Sequence, residues 1–172
     1  MNKLRYFALA GTLSSSLFCA AAGNAAPLVK TQPPCNGACV QFEGPGEATY
    51  LVRSISFNAP RSGISLVHFH GNLACRGAAG DSFNGGSQIV LNKNSQVNEV
   101  GPGGLPLVHR LPKPANPEFT PPWDSNLAST RVVKVTSAGK QDYHFKIKHI
   151  ILGQNMECEV YVGTFSVLFI PD

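Results

Sequence analysis

Charge is scarce in this chain. Of 172 residues, 14 are Lys or Arg and 10 are Asp or Glu, so 14% are charged, against roughly 25% in an average soluble domain. No Lys/Arg cluster stands out, which argues against a nucleic-acid footprint. Beyond residue 25 there is no apolar run long enough to span a bilayer, and no long stretch keeps a 3.6-residue period. Neither an HExxH nor a GxSxG motif is present, so the familiar zinc-protease and serine-hydrolase layouts have no anchor. The four aspartates are scattered at 81, 124, 142 and 172. A glycosidase pair would have to combine Asp81 with Glu99 or Asp124, a closeness that spacing does not establish. No catalytic residue is assigned, and an enzyme is the less favoured reading.

What is abundant is punctuation. Glycine and proline number 17 and 13, which calls for many turns, while a hydrophobic fraction of 43% is enough for a folded core. The length suits one domain that buries about two-thirds of its unfolded surface.

The first residues have the layout of a secretory signal. Lys3 and Arg5 precede an apolar, small-residue stretch that ends at Ala25, and cleavage is expected there. A lipoprotein reading of Cys19 is disfavoured by bulky Phe18 before it. Cleavage would leave 172 − 25 = 147 residues and lower the net charge from +4 to +2. The expected location is secreted or periplasmic, with no membrane span.

Four cysteines follow the signal: Cys35, Cys39, Cys75 and Cys158. An even count in an exported chain reads as disulfides, with three possible connectivities. Spacing favours Cys35–Cys39 with Cys75–Cys158, because Asn36-Gly37 can fold the CNGAC segment back on itself. Zinc is the competing use of these cysteines, and the paired CxxC spacing it would want is missing.

Residues 26–47 read as an N-terminal arm or irregular strand, and 48–172 as a single β-sandwich domain. ATYLVRSISF and GISLVHFHGNLAC have strand patterning. The second places Val67, Phe69, Leu73 and Cys75 on one face and Ile64, Leu66, His68 and His70 on the other. SQIVLN reads as a short strand after Gly85-Gly86. Residues 93–130 hold seven of the thirteen prolines and read as a Pro-rich insertion, with PLVHRL as a short strand inside it. TRVVKVT alternates. DYHFKIKHIIL puts Tyr143, Phe145, Ile147 and His149 on one face and His144, Lys146 and Lys148 on a wet one. A turn at Gly153-Gln154-Asn155 would set Lys148 opposite Glu159. The fold class expected is all-β: an antiparallel jelly roll or β-sandwich, stabilised by disulfides.

FNAPRSGISLVHFHGNLAC, SAGKQDYHFKIKH and GTFSVLFIPD resemble, in order and spacing, phrases of the complement-type globular heads, which belong with the tumour-necrosis-factor-like jelly rolls. The phrases cover about forty residues. The resemblance implies a ten-strand-type jelly roll, often trimeric, that binds through loops and outer faces. It lacks the Gly-X-Y stalk, and no calcium-binding acidic set can be matched.

Two candidate sites follow from the residues. His68 and His70, two apart on a strand, point the same way and could hold zinc or copper, with His109, His144 or His149 as a further ligand. The plainer alternative is a pair of polar residues on an exposed or subunit-facing strand. Phe119, Trp123 and Asp124, on a Pro-stiffened loop, could stack on a sugar or anchor a protein partner. Against this, Trp123 could simply pin the loop to the sandwich. The functional expectation is a binding or assembly module that meets a carbohydrate or protein through loop 93–130 or a sheet face. Low charge and sheet faces apolar on both sides suggest self-association. The alternatives are a metal-dependent or carboxylate enzyme at His68/His70, and a structural exoprotein without a small ligand. No cofactor is expected beyond that zinc or copper.

Overall fold

The computed structural model describes residues 26–111 and 123–172. Residues 1–25, expected to be a signal segment, and Phe119 lie outside the described residues. The rest forms nine strands: β1 Leu28–Gln32, β2 Ala38–Glu43, β3 Ala48–Ala59, β4 Gly63–Arg76, β5 Ser82–Val90, β6 Gly104–Arg110, β7 Trp123–Val135, β8 Gly139–Leu152 and β9 Glu157–Pro171. No helix among the described residues is long and apolar enough to cross a membrane.

The pairing is nested. β2 pairs with β9, β3 with β8, β4 with β7 and β5 with β6, all antiparallel. The chain is thus one long hairpin whose arms are rolled over each other, closed by β4–β9 and β5–β8. Two sheets result: β1-β9-β4-β7, with β2 also on β9, and β3-β8-β5-β6. This is jelly-roll connectivity, and successive strands after β2 mostly alternate between the sheets. Nine strands are seen among the described residues, where the resemblance implied ten.

Alternation explains the core. Val67, Phe69, Leu73 and Cys75 of β4 are fully buried, as are Tyr143, Phe145 and Ile147 of β8. Phe69 and Phe145 stack across the two sheets with ring centroids 3.6 Å apart, and Phe165 of β9 meets Phe69 edge-on. Truncating a phenylalanine at such a site costs about 3–5 kcal/mol.

Both expected disulfides are present, Cys35–Cys39 and Cys75–Cys158. Gly37 supplies the turn of the short loop with φ 91°, a conformation that favours glycine. Cys75 and Cys158 stand directly opposite each other on β4 and β9, so the bridge ties these two neighbouring strands together at one end of the first sheet. The arm is ordered as β1 and β2, which share β9 as partner. Between their footprints β9 bulges at Val162, a β-branched residue at φ 55°, and a side chain on the next residue, Gly163, would run into Cys39 Sγ.

Four sequence expectations need correction. Gly85-Gly86 does not precede a strand but lies inside β5, where a Cβ on Gly85 would overlap the Lys148 carbonyl and one on Gly86 would overlap Glu99. The stretch 93–130 holds the short strand expected at PLVHRL, within β6, but it also contains the first part of β7, which begins at Trp123 and not near Thr130. Lys148 does not face Glu159, because β8 and β9 belong to different sheets and the chain crosses the sandwich at 153–156. Lys148 instead pairs with Glu47 at 2.6 Å, and Glu159 with Arg76 at 3.6 Å. Finally, the stripe of His144, Lys146 and Lys148 is not a wet face. Lys146 is buried, and its ammonium donates to the carbonyls of Lys93 and Ser95 at 3.0 and 2.7 Å. Loop 91–103 has folded back over this sheet.

Candidate functional site

The sheet β1-β9-β4-β7 has no such cover. Paired residues in an antiparallel sheet share a face, so the register lays out the outer surface in rows. At one end Val29, Leu168, Leu66 and Val132 form one row across the four strands, and Ile170 and Ile64 continue it in the next. Five of these six aliphatic side chains are between 37% and 72% exposed, and Leu168 is half-buried. Together they present on the order of 400 Å² of contiguous apolar surface, in the range of the largest and often functional patch of a monomer. Lys134 lies beside Ile64 in the same row.

The middle band is polar and uncharged by carboxylate or ammonium groups. His68 lies between Thr130 of β7 and Ser166 of β9, and His70 between Ala128 and Thr164. His68 Nδ1 is 2.8 Å from Thr130 Oγ1. The third band carries charge of both signs, with Arg76 on Glu159 and Asp124 accepting the Tyr161 hydroxyl at 2.7 Å. That hydrogen bond, more than burial, holds the Tyr161 hydroxyl above its usual range.

The structure therefore brings His68, His70 and Asp124 onto one face, with Asp124 two rows from His70. Trp123 is not with them. It points inward, packs against the core, and stacks on His109 with centroids 3.9 Å apart. Burial lowers the His109 pKa. The further metal ligands suggested by the sequence are also elsewhere. His144 bonds Ser54 Oγ at 2.7 Å on the opposite sheet, and His149 is buried between Phe42 and Tyr50. Among the described residues no group of three or more His, Cys, Asp or Glu could hold a metal ion. Asp81, Glu99 and Asp124 lie in three places: at the turn before β5, over Gly86, and on the outer face described above.

A second feature was missed by sequence reasoning. Loop 91–98 and Arg131 of β7 enclose a cleft of about 360 Å³ lined by Gln88, Asn92, Gln96 and Asn98. Gln88 holds the loop from beneath, accepting the Asn98 N–H at 2.8 Å and donating to the Pro102 carbonyl at 3.2 Å. Its amides and guanidinium offer hydrogen bonds to hydroxyl and carboxylate groups. The amide-rich NKNSQVN run was the available signal.

No protein-family profile matches this chain. No curated protein matches it in sequence either. Among solved structures, it is similar to that of the infectious bursal disease virus Gx strain, with 14% identity over 95% of this chain and a TM-score of 0.46. The Gt strain structure gives 16% identity over 86% and a TM-score of 0.47. This chain spans only 38% and 33% of those two chains. The strand order above, and not these likenesses, carries the fold assignment.

Proposed function

We propose that this jelly roll is an exported assembly module whose outer β1-β9-β4-β7 face docks on the same face of a second copy. The observation that carries the reading is the six-residue aliphatic patch around Leu66, left uncovered on a sandwich that folds loop 91–103 over part of its other outer face. An apolar centre beside a polar band and a charged rim is the anatomy of a protein interface. Four strands about 4.8 Å apart and nine residues of about 3.3 Å each give a face of roughly 570 Å². With its rims, that approaches the ~800 Å² per partner of a standard interface. The face carries no block of one sign that would select an acidic or basic partner. A two-fold axis along β4 sets each band on its own copy, apolar on apolar, as an isologous contact requires.

The test is the mass of the purified, disulfide-bonded protein by light scattering across a concentration series. Two copies are expected, and Leu66→Lys should give a monomer whose thermal stability changes by no more than about 0.5 kcal/mol, as for other exposed positions. A monomeric wild type, or a Leu66→Lys variant that still pairs, would overturn the reading. Three copies, the number implied by the complement-type resemblance, would also overturn the two-fold arrangement.

A further inference from the structure

His68 and His70 sit in the polar band next to the aliphatic patch, on the same side of β4. Alternate residues of an extended strand are about 6.6 Å apart, so both imidazoles can reach one point above the sheet. His68 is oriented from behind. In the tautomer whose Nδ1–H donates to Thr130 Oγ1, the Nε2 lone pair is free, the arrangement that commonly supports a metal-bound imidazole. Immediately after His70 the β4–β9 register shifts, opposite the Val162 bulge. Bulges re-aim neighbouring side chains. The row neighbours Thr130, Ser166, Ala128 and Thr164 bring no competing cation.

One chain supplies two nitrogens and, among the described residues, no third ligand beside them. A closed zinc site takes four. We infer that His68 and His70 are half of a divalent transition-metal site, completed by the same two histidines of a second copy across the docked face. The inference rests on the docking reading above. An axis along β4 that puts Leu66 on its own copy also puts the histidine pair on its own copy. Face-packed sheets lie about 10 Å apart, a gap that two opposed imidazoles with metal–nitrogen bonds of about 2.0–2.1 Å can close. Neutral imidazoles suit zinc and copper, and no redox step is involved. The metal bridges and does not react.

The experiment uses the tag-free, disulfide-bonded protein stripped with EDTA and then titrated with zinc sulfate. Metal content and mass are read together. One zinc per two chains is expected, with the dimer dissociation constant at least tenfold lower than in EDTA. His68→Asn and His70→Asn should each abolish that tenfold gain, so that each variant's dissociation constant is the same in zinc as in EDTA, while leaving the circular dichroism spectrum unchanged. If the protein pairs in EDTA but zinc does not tighten it, or binds one per chain, the metal site is overturned and the docking face stands. A chain that stays monomeric both in EDTA and in zinc overturns both.

Discussion

The two outer faces of the sandwich solve the same problem in different ways. Sheet β3-β8-β5-β6 covers part of its face with the chain itself: Lys146 reaches into loop 91–103 to hold two carbonyls, Gln88 clamps Asn98 and Pro102, and Lys148 takes Glu47. Sheet β1-β9-β4-β7 leaves aliphatic residues in the open and is locked by Cys75–Cys158 at the end away from them. The polar face is internally satisfied, and the apolar one is not.

Breaking that contrast should have its largest effect at the covalent lock. Replacing both Cys75 and Cys158 with alanine removes a bridge spanning 83 residues, and about 4 kcal/mol should be lost in urea unfolding. The short Cys35–Cys39 loop should cost about 2 kcal/mol by the same measure. If the two losses were equal, the long bridge would not be what holds the exposed sheet.

The covered face should respond next. Lys146→Ala removes two charge-assisted hydrogen bonds, and a loss of about 2 kcal/mol is expected. Hydrogen exchange should quicken at the Asn98 amide, which depends on the same loop. Unchanged exchange would mean that the loop does not rely on the lysine.

Acid should have the smallest effect and should be confined to the same sheet. Burial is the main cause that lowers the pKa of His144, with Asp142 pulling the other way and Lys93, Lys146 and Lys140 adding to the fall. Burial also lowers His149, opposed by the Gly46 backbone and Glu47. Their folded values lie below the ordinary 6.5, so the unfolded chain takes up protons that the folded one refuses. Stability is then complete above that value and falls as pH drops through it. A pH series of melting temperatures in which His149→Gln flattens the decline below pH ~6.5 would support this assignment. A parallel decline in the variant would sink it.

Much of the fold was legible because strands announce their faces. The alternation in GISLVHFHGNLAC put Phe69 on one face and Leu66, His68 and His70 on the other, and the structure turns the first face to the core and the second outward. The low charge and two-sided apolarity pointed to self-association, and the exposed row at Leu66 has the composition behind that expectation. Lys146 was misjudged for a reason that period-two patterning cannot repair. Alternation says which side of its own strand a residue takes, and nothing about what folds over that side. Trp123 shows the same limit in reverse, since its place on a Pro-stiffened run drew attention outward while its strand parity turned it to the core.

By itself, the order of residues determined the all-β class and the two faces of β4 and β8, and favoured one of three cysteine pairings, because these follow from local period and spacing. Tertiary structure alone decided that β8 and β9 belong to different sheets, that a loop buries Lys146, and that Val29, Leu66, Val132, Leu168 and Ile170 meet as one surface. Those residues come from four strands spread over most of the chain. Only the rolled, nested pairing brings them within contact of one another.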